Sequence, residues 1–329
     1  MKKSLIALAI AGTFAAPAFA ASANVDFYGK FRISLNNANH GNDWSMTDEV
    51  SRVGFKGAED LGGGLKAIYQ YETGFAINST AALGSRRNTF LGLAGDFGTV
   101  LAGRHDTPYK LAGSADLFGD TAADAQGGAG STGGATCIIG CQNFDLRVDN
   151  AIAYVSPSFS GLTLIAAIVP GSTNADGPNA ISTDPNANSL TDAYSLAAKY
   201  GNGPLEASLA YEDHNNLADE SAWKLNVGYT MGDLKLGGTY EDQKDLGGVA
   251  GNDAKAYLVS AAYGMGPITL AAQFGKRNPD GANNNMTDIA VGVVYGLSKR
   301  TSTYLGYCNA KPEGVSAYNV ITVGLNHDF

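Results

Sequence analysis

From Val25 onward the chain alternates between apolar and polar positions. Val25, Phe27, Phe31, Ile33 and Leu35 stand against Asp26, Tyr28, Lys30, Arg32 and Ser34. A period of two places one set on each side of a strand with unlike faces. The polar stretch His40 to Asp48 separates this strand from a second one holding Arg52 to Gly57. In a third, Ala67, Tyr69, Tyr71 and Phe75 oppose Gln70 and Glu72. The unit recurs along the chain, for example as Trp223, Leu225, Val227 and Tyr229, then the turn Gly232-Asp233, then Leu234, Leu236 and Tyr240. Ile321, Val323, Leu325, His327 and Phe329 close it. Alternation is weak in two segments, Arg87 to Ala94 and Phe97 to Arg104, where Gly, Ala and Leu occupy both faces. A wall packed on another protein tolerates that pattern, which hints at a subunit interface.

The count is sixteen strands, with seven short turns alternating with eight longer polar loops. Short connections fall on one end and long ones on the other. A strand of about ten residues rises about 3.3 Å per residue. Tilted by about 45°, it spans close to the 25 Å apolar band of an outer-membrane barrel. Tyr200, Tyr211, Tyr263, Phe274 and Tyr295 end the apolar faces, as interfacial girdles require. No run after the first twenty residues approaches about 18 apolar residues, which excludes a helical membrane protein. A secreted sandwich needs no such loop asymmetry, and a propeller would repeat a motif about every 40 to 50 residues. The pattern therefore predicts an all-β, transmembrane antiparallel β-barrel.

One stretch breaks the alternation. Asp106 to Asp145 contains ADLFGD (Ala115 to Asp120), a Gly/Ala/Ser/Thr tract (Ala125 to Thr136) and CIIGC (Cys137 to Cys141). Loops this long in a compact fold are usually functional or disordered. The expectation is that it folds against the wall and sets what passes. Cys137 and Cys141 are close enough to pair in an oxidising compartment. A metal pair there would lack a neighbouring His or a second Cys pair, and Cys308 reads as a buried small side chain.

The first twenty residues are set aside as a signal peptide, leaving 21–329 as one barrel domain. Met1-Lys2-Lys3 is a positive start, Leu5 to Ala16 an apolar stretch, and Ala18-Phe19-Ala20 a cleavage site. Loss of Lys2 and Lys3 makes the exported chain two charges more negative than its formal −9, which argues against nucleic acid as a partner. Gly is abundant, 43 of 329 residues, and 44% of residues are hydrophobic; many tight turns fit that mix better than disorder does. The histidines His40, His105, His214 and His327 are scattered, with no metal-ligand spacing and no nucleophile motif. Gly127 to Gly134 lacks the Lys-Ser/Thr of a phosphate loop. Gly41-Asn42-Asp43 and Asn278-Pro279-Asp280-Gly281 do not match a calcium loop. No cofactor, metal or enzymatic activity is expected; a barrel-embedded hydrolase is the alternative of another class.

SRVGFKGAEDLGGGLKAIYQYETGF (Ser51 to Phe75) and RRNTFLGLAGDFGTVLAGR (Arg86 to Arg104) resemble the general porins of Gram-negative bacteria, as do FYGKF (Phe27 to Phe31) and VGLNHDF (Val323 to Phe329). The resemblance covers the chain and is densest in its first third. It implies a sixteen-stranded homotrimeric barrel, exported through the Sec pathway and inserted by the barrel-assembly machinery. Such a barrel contacts outer-membrane lipid and lipopolysaccharide. It implies a third extracellular loop bent into the lumen, facing basic residues across a water-filled path for small hydrophilic solutes and ions.

Carried over by position, Lys30, Arg52, Arg87 and Arg147 match the basic cluster. Alternation independently turns Lys30, Arg52 and Arg147 inward, whereas Arg86 could stand in for Arg87. Arg104, at the lip of the loop, is a further candidate. LFGD (Leu117 to Asp120) resembles part of the acidic loop motif, with Asp116 and Asp120 as its acids. Asp106, Asp120 and Asp124 are either available to the lumen or engaged in capping turns. Phe329 resembles the terminal assembly signal, although His327 stands where a Tyr or aliphatic residue is common. Two charges about 10 Å apart in water interact by about 0.4 kcal/mol, a field that low-dielectric walls focus. Ion selectivity should be weak. A solute-specific channel and a barrel-anchored adhesin are the competing readings; no run of pore-facing aromatics marks the former.

Overall fold

The computed structural model describes residues 25–39, 44–79, 84, 86–126, 137–141, 144–170, 189–215, 219–281 and 285–329. Residues 1–20, read from the sequence as a signal peptide, most of the Gly/Ala/Ser/Thr tract and most of the loop after Pro170 lie outside the described residues. The strands are β1 (Val25–Ala38), β2 (Ser45–Asp48), β3 (Arg52–Gly62), β4 (Leu65–Gly74), β5 (Thr89–Gly95), β6 (Gly98–Asp106), β7 (Arg147–Val155), β8 (Leu162–Val169) and β9 (Ala193–Asn202). They continue as β10 (Leu205–His214), β11 (Glu220–Met231), β12 (Leu234–Lys244), β13 (Ala254–Met265), β14 (Ile268–Pro279), β15 (Met286–Gly296), β16 (Thr301–Pro312) and β17 (Tyr318–Asp328).

Apart from β2 and β3, all pair antiparallel with their sequence neighbours in one sheet, and β1 pairs with β17 to close it. β2 and β3 both lie against β1 and share one wall position. The break between them is at Val50, whose φ of 62° no β-ladder accommodates. The seventeen segments thus build a closed barrel of sixteen strands. Full closure removes the unpaired edges that a hydrocarbon environment forbids.

The seam shows why FYGKF carries a glycine. Gly29 and Phe329 exchange backbone hydrogen bonds of 3.2 and 3.1 Å. The Phe329 ring lies over Gly29, in the space that any Cβ there would take. It then packs on Phe31, with ring centroids 5.5 Å apart. The last residue of the chain is therefore part of the outer wall.

Along each strand the outward residues are large and apolar while the inward ones are polar. Leu209, Ile289 and Val323 are exposed, whereas Ser208, Asp288 and Thr322 are buried; Leu258 is an apolar inward residue because the inner segment covers it. Exposure of so much apolar surface suits lipid rather than water. On β5 and β6 the outward residues are Leu91, Leu93 and Val100. The barrel has no central core of its own. Its buried apolar clusters form chiefly where an inner segment, Thr107 to Leu146, meets the wall, as with Tyr109 and Phe144 or Ile138 and Leu258.

Candidate functional site

Thr107 to Leu146 connects β6 and β7, and its described residues, 107–126, 137–141 and 144–146, lie against the inner face of the barrel. A single turn of helix, α1 (Pro108–Leu111), opens it: Pro108 supplies the fixed φ of a first helical position, and Thr107 Oγ1 accepts the Lys110 N–H at 3.3 Å. The chain then follows the inner wall. Its backbone groups bond to side chains of successive strands, Tyr109 N to Ser195 Oγ at 2.9 Å, Ala115 N to Thr239 Oγ1 at 2.7 Å, and Leu117 N to Gln273 Oε1 at 3.0 Å. An irregular backbone shut away from bulk water needs such partners for its donors.

Wall glycines set how closely the loop approaches. A Cβ on Gly292 would lie 2.8 Å from the Phe118 ring, one on Gly275 2.8 Å from Ile138 Cγ2, and one on Gly237 3.0 Å from Ala115 Cβ. The inner faces of β12, β14 and β15 therefore carry gaps into which loop side chains fit. Part of the glycine richness of the chain serves the loop rather than the turns.

The returning limb is held by charge. Cys137 and Cys141 are joined, with Cα atoms 5.7 Å apart. Ile138 and Ile139 between them are fully buried. The N–H of Gly140, at a φ of 68°, donates to both oxygens of Glu241 at 3.1 and 3.0 Å. Gln243 Nε2 donates to Cys141 O at 3.0 Å. Asp145 then receives Lys110 Nζ at 3.0 Å and Lys224 Nζ at 2.8 Å. Burial alone would raise the Asp145 carboxyl, but Lys110 and Lys224 outweigh it and hold the group below the usual range.

At its far point the loop touches the opposite wall. Asp120, at a φ of 58°, receives Arg32 at 2.8 Å and Arg52 at 3.5 Å. Burial acts to raise its pKa, while Arg32, Arg52 and Arg87 lower it further, so it stays ionised. From there the cations continue around the inner face. Arg87 pairs with Glu72 at 2.5 Å, and Glu72 also accepts Tyr28 OH at 3.0 Å. Arg147 pairs with Asp106 at 2.9 Å and donates to Asn88 Oδ1 at 2.6 Å. Arg104 pairs with Asp149 at 2.9 Å, and Lys30 with Asp328 at 3.8 Å. The arrangement is a row of paired guanidiniums on one wall, closed at one end by the loop.

The five basic candidates from the sequence, Lys30, Arg52, Arg87, Arg104 and Arg147, all enter this row. Arg87 takes the position in preference to Arg86, which is exposed and offers its carbonyl to Arg104 Nε at 2.8 Å. The acids divide differently from the expectation. Asp120 reaches the arginines. Asp116 turns back into the loop, accepting the N–H groups of Phe118 at 2.8 Å and Ala125 at 3.1 Å. It fixes the turn and does not face the lumen cations, because two orphan backbone donors lie nearer to it than any guanidinium. Asp124 caps in the same way, accepting from Asp120 N and Gln126 N. Burial pushes both carboxyls up, Asp124 further through its contact with Asp116. Asp106 belongs to the end of β6 and is already engaged by Arg147, so it is part of the basic wall.

Three participants escaped the sequence reading: Arg32, Glu72 and Asn88. Arg32 shares the inward parity of Lys30, two residues on, and Glu72 that of Gln70, so alternation carried the signal for both. Asn88 lies in a connection and had none. No group of His, Cys, Asp and Glu among the described residues could hold a metal ion.

The sequence profile of the Gram-negative porin family matches residues 5–313. The chain is similar to the major outer membrane protein P.IB of Neisseria gonorrhoeae, 29% identical over 92% of this chain and 91% of that protein. Among solved structures it is similar to an anion-selective porin from Comamonas acidovorans, with a TM-score of 0.75 and 23% identity over 94% of this chain and all of that one. The trimer form of OmpT from Vibrio cholerae matches with a TM-score of 0.70 and 18% identity, over 94% of this chain and all of the other. A closed sixteen-stranded barrel, a loop folded within it and a profile match across nearly the whole length lead to one conclusion: the chain belongs to the Gram-negative porin family, whose members are outer-membrane channels and not enzymes.

Proposed function

We propose that this porin is a general diffusion channel with weak ion selectivity, its narrowest level bordered by the arginine wall and the inward loop. The observation that carries this is the charge pairing. Arg32 and Arg52 share the single carboxylate of Asp120, while Arg87, Arg104 and Arg147 each have an acid of their own. Such a wall has a strong transverse field and almost no net charge, so it orients dipolar solutes without rejecting either ion sign. The surplus guanidinium favours anions slightly, against the acidity of the chain as a whole. Similarity to a porin described as anion-selective supports the same direction. The channel works as a homotrimer, with the apolar outer face of β5 and β6 in the interface; the weak alternation there and the trimeric OmpT neighbour support this. Phe329 serves as the signal read by the barrel-assembly machinery.

Planar-bilayer recording tests the reading. Large ohmic steps, unblocked by sugars or phosphate, are expected, with an anion-to-cation permeability ratio near unity. Replacing Arg52 and Arg147 together by Ala should turn that ratio toward cations. Saturable block by one solute would establish a specific channel instead, and absence of conductance would leave the barrel as an adhesin base.

A further inference from the structure

One glycine gap of the inner wall is left open. A Cβ on Gly237, Gly275 or Gly292 would lie 2.8 to 3.0 Å from a loop side chain, whereas one on Gly228 would meet only the Glu206 side chain at 3.8 Å and the Leu236 carbonyl at 3.9 Å. Gly228 shares the inward parity of Asn226 and the buried Lys224 on β11. The recess it leaves is bordered by the loop residues Ser114 and Ala115 and lies between them and the short turn at Gly232-Asp233. It holds about 40 Å³ and opens toward the lumen, room for about three waters.

Its borders carry one charge of each sign. Glu206 faces inward on β10, two residues before the buried Ser208, and Lys235 faces inward on β12, two residues before Gly237. Glu206 is in register with Gly228, and Gly228 with Gly237. Two strand spacings and two residue rises put the Glu206 and Lys235 backbones about 12 Å apart, with the glycine gap between them. Among the described residues, Lys235 has no ion-pair partner. Lys199, whose charge also reaches Glu206, donates to the Leu111 carbonyl at 3.0 Å.

An amide of fixed direction joins the two charges. The Ala115 N–H donates to Thr239 Oγ1 at 2.7 Å, and the Thr239 hydroxyl donates in turn to Asn226 Oδ1 at 2.9 Å. The two hydrogens on Asn226 Nδ2 are thereby left to the recess. Ser260 Oγ, 2.7 Å from where a Gly237 Cβ would stand, adds a hydroxyl.

A simple anion in this recess would meet Glu206, and a simple cation would meet Lys235. A molecule with both charges on adjoining groups satisfies both sides at once. The covering loop keeps bulk water from one side of the recess, which strengthens such pairs. The small volume and the bordering hydroxyls restrict the occupant to a compact, polar one.

We propose that this recess binds a small α-amino acid, its carboxylate on Lys235 and the Asn226 amide and its ammonium on Glu206. The site goes beyond the general-diffusion reading and is separate from the arginine wall, since it is built on β10 to β13. It lies to the side of the lumen, so its occupant leaves the path open to ions.

Saturation-transfer NMR on the detergent-solubilised porin, with glycine as the probe, tests the site. Glycine should half-saturate at about 10 mM, as suits two partly exposed ion pairs. Acetate and methylammonium each offer one of the two charges and should bind about fivefold more weakly, the most that an exposed pair contributes. Lys235→Gln should lower glycine affinity to that of methylammonium, and Glu206→Gln to that of acetate. Gly228→Val keeps both charges but fills the gap, and should abolish the glycine signal. A heat-stable barrel band shows that each variant has assembled. Glycine transfer that fails to saturate in the parent at about ten times the stated concentration would overturn the proposal. So would equal affinities for glycine and acetate, or a signal that Gly228→Val leaves unchanged. Full block of conductance by glycine would also overturn it, because the recess lies off the ion path.

Discussion

Asp120 is the one loop acid that crosses to the arginine wall, and Asp120→Asn isolates its charge. Asparagine keeps the volume and tolerates the left-handed backbone at a φ of 58°, so the loop tip should hold its path. What is lost is the carboxylate shared by Arg32 and Arg52 at 2.8 and 3.5 Å. That carboxylate is 39% exposed, so its field reaches the water-filled path. An ion passing about 10 Å away in water feels one unit charge as about 0.4 kcal/mol, or about a twofold change in local concentration. Anions gain what cations lose, so the permeability ratio should move about fourfold toward anions in dilute salt. At 0.1 M the screening length is about 10 Å, and the shift should fall to about 1.7-fold. The assay is the zero-current potential across a planar bilayer under a KCl gradient, at both ionic strengths. A ratio unchanged in dilute salt, or a shift toward cations, would refute the placement of Asp120 beside the ion path.

Three other outcomes follow from the loop and the seam. Gly275→Val puts methyl groups where Ile138 and Leu258 already lie at 2.8 and 3.2 Å; overpacking of this kind costs about 1–3 kcal/mol. The loop should move into the lumen, and single-channel conductance should fall with the barrel intact. Asp145 titrates below its ordinary value, so the stability it contributes is complete above the unfolded-state pKa near 3.8 and disappears as pH falls through the lower folded value. Protease cleavage within the loop should therefore stay slow down to about pH 4 and rise below it. Asp145→Asn should make cleavage fast already at neutral pH, because breaking a buried ion pair costs about 3–5 kcal/mol. Deleting Phe329 uncovers Gly29 and removes two seam hydrogen bonds, so the yield of heat-stable folded barrel should drop; Phe329→Tyr, which keeps the ring, should restore it.

The wall was legible in the sequence because its cause is local. Each residue of a strand meets lipid or the inner space according to parity alone, so Phe31 and Lys30 declare their faces without knowledge of any partner. Loop length at the two ends needed only counting. The same rule placed Lys30, Arg52 and Arg147 inward. It could not choose between Arg86 and Arg87, which lie in a connection, where parity has no meaning. Arg32 has the same inward parity as Lys30 and lies outside FYGKF, so alternation, and not the family motif, marks it.

Inside the loop there is no period to read. Asp116, Asp120 and Asp124 lie within nine residues and are chemically alike, yet two cap turns and one crosses the lumen. Their difference arises from which orphan N–H or guanidinium lies nearest after the loop has packed. The glycines Gly237, Gly275 and Gly292 read in the sequence as ordinary strand weakeners, and their role appears only where Ala115, Ile138 and Phe118 fill the gaps they leave. The sequence by itself determined the barrel, from the unequal connections at its two ends, and the side of the wall that residues of the alternating strands face, since that follows from a period of two. Only the tertiary structure decided which charges meet, because contacts between Asp120 and Arg32, 88 residues apart, depend on the path of a loop that the wall, and not its own sequence, directs.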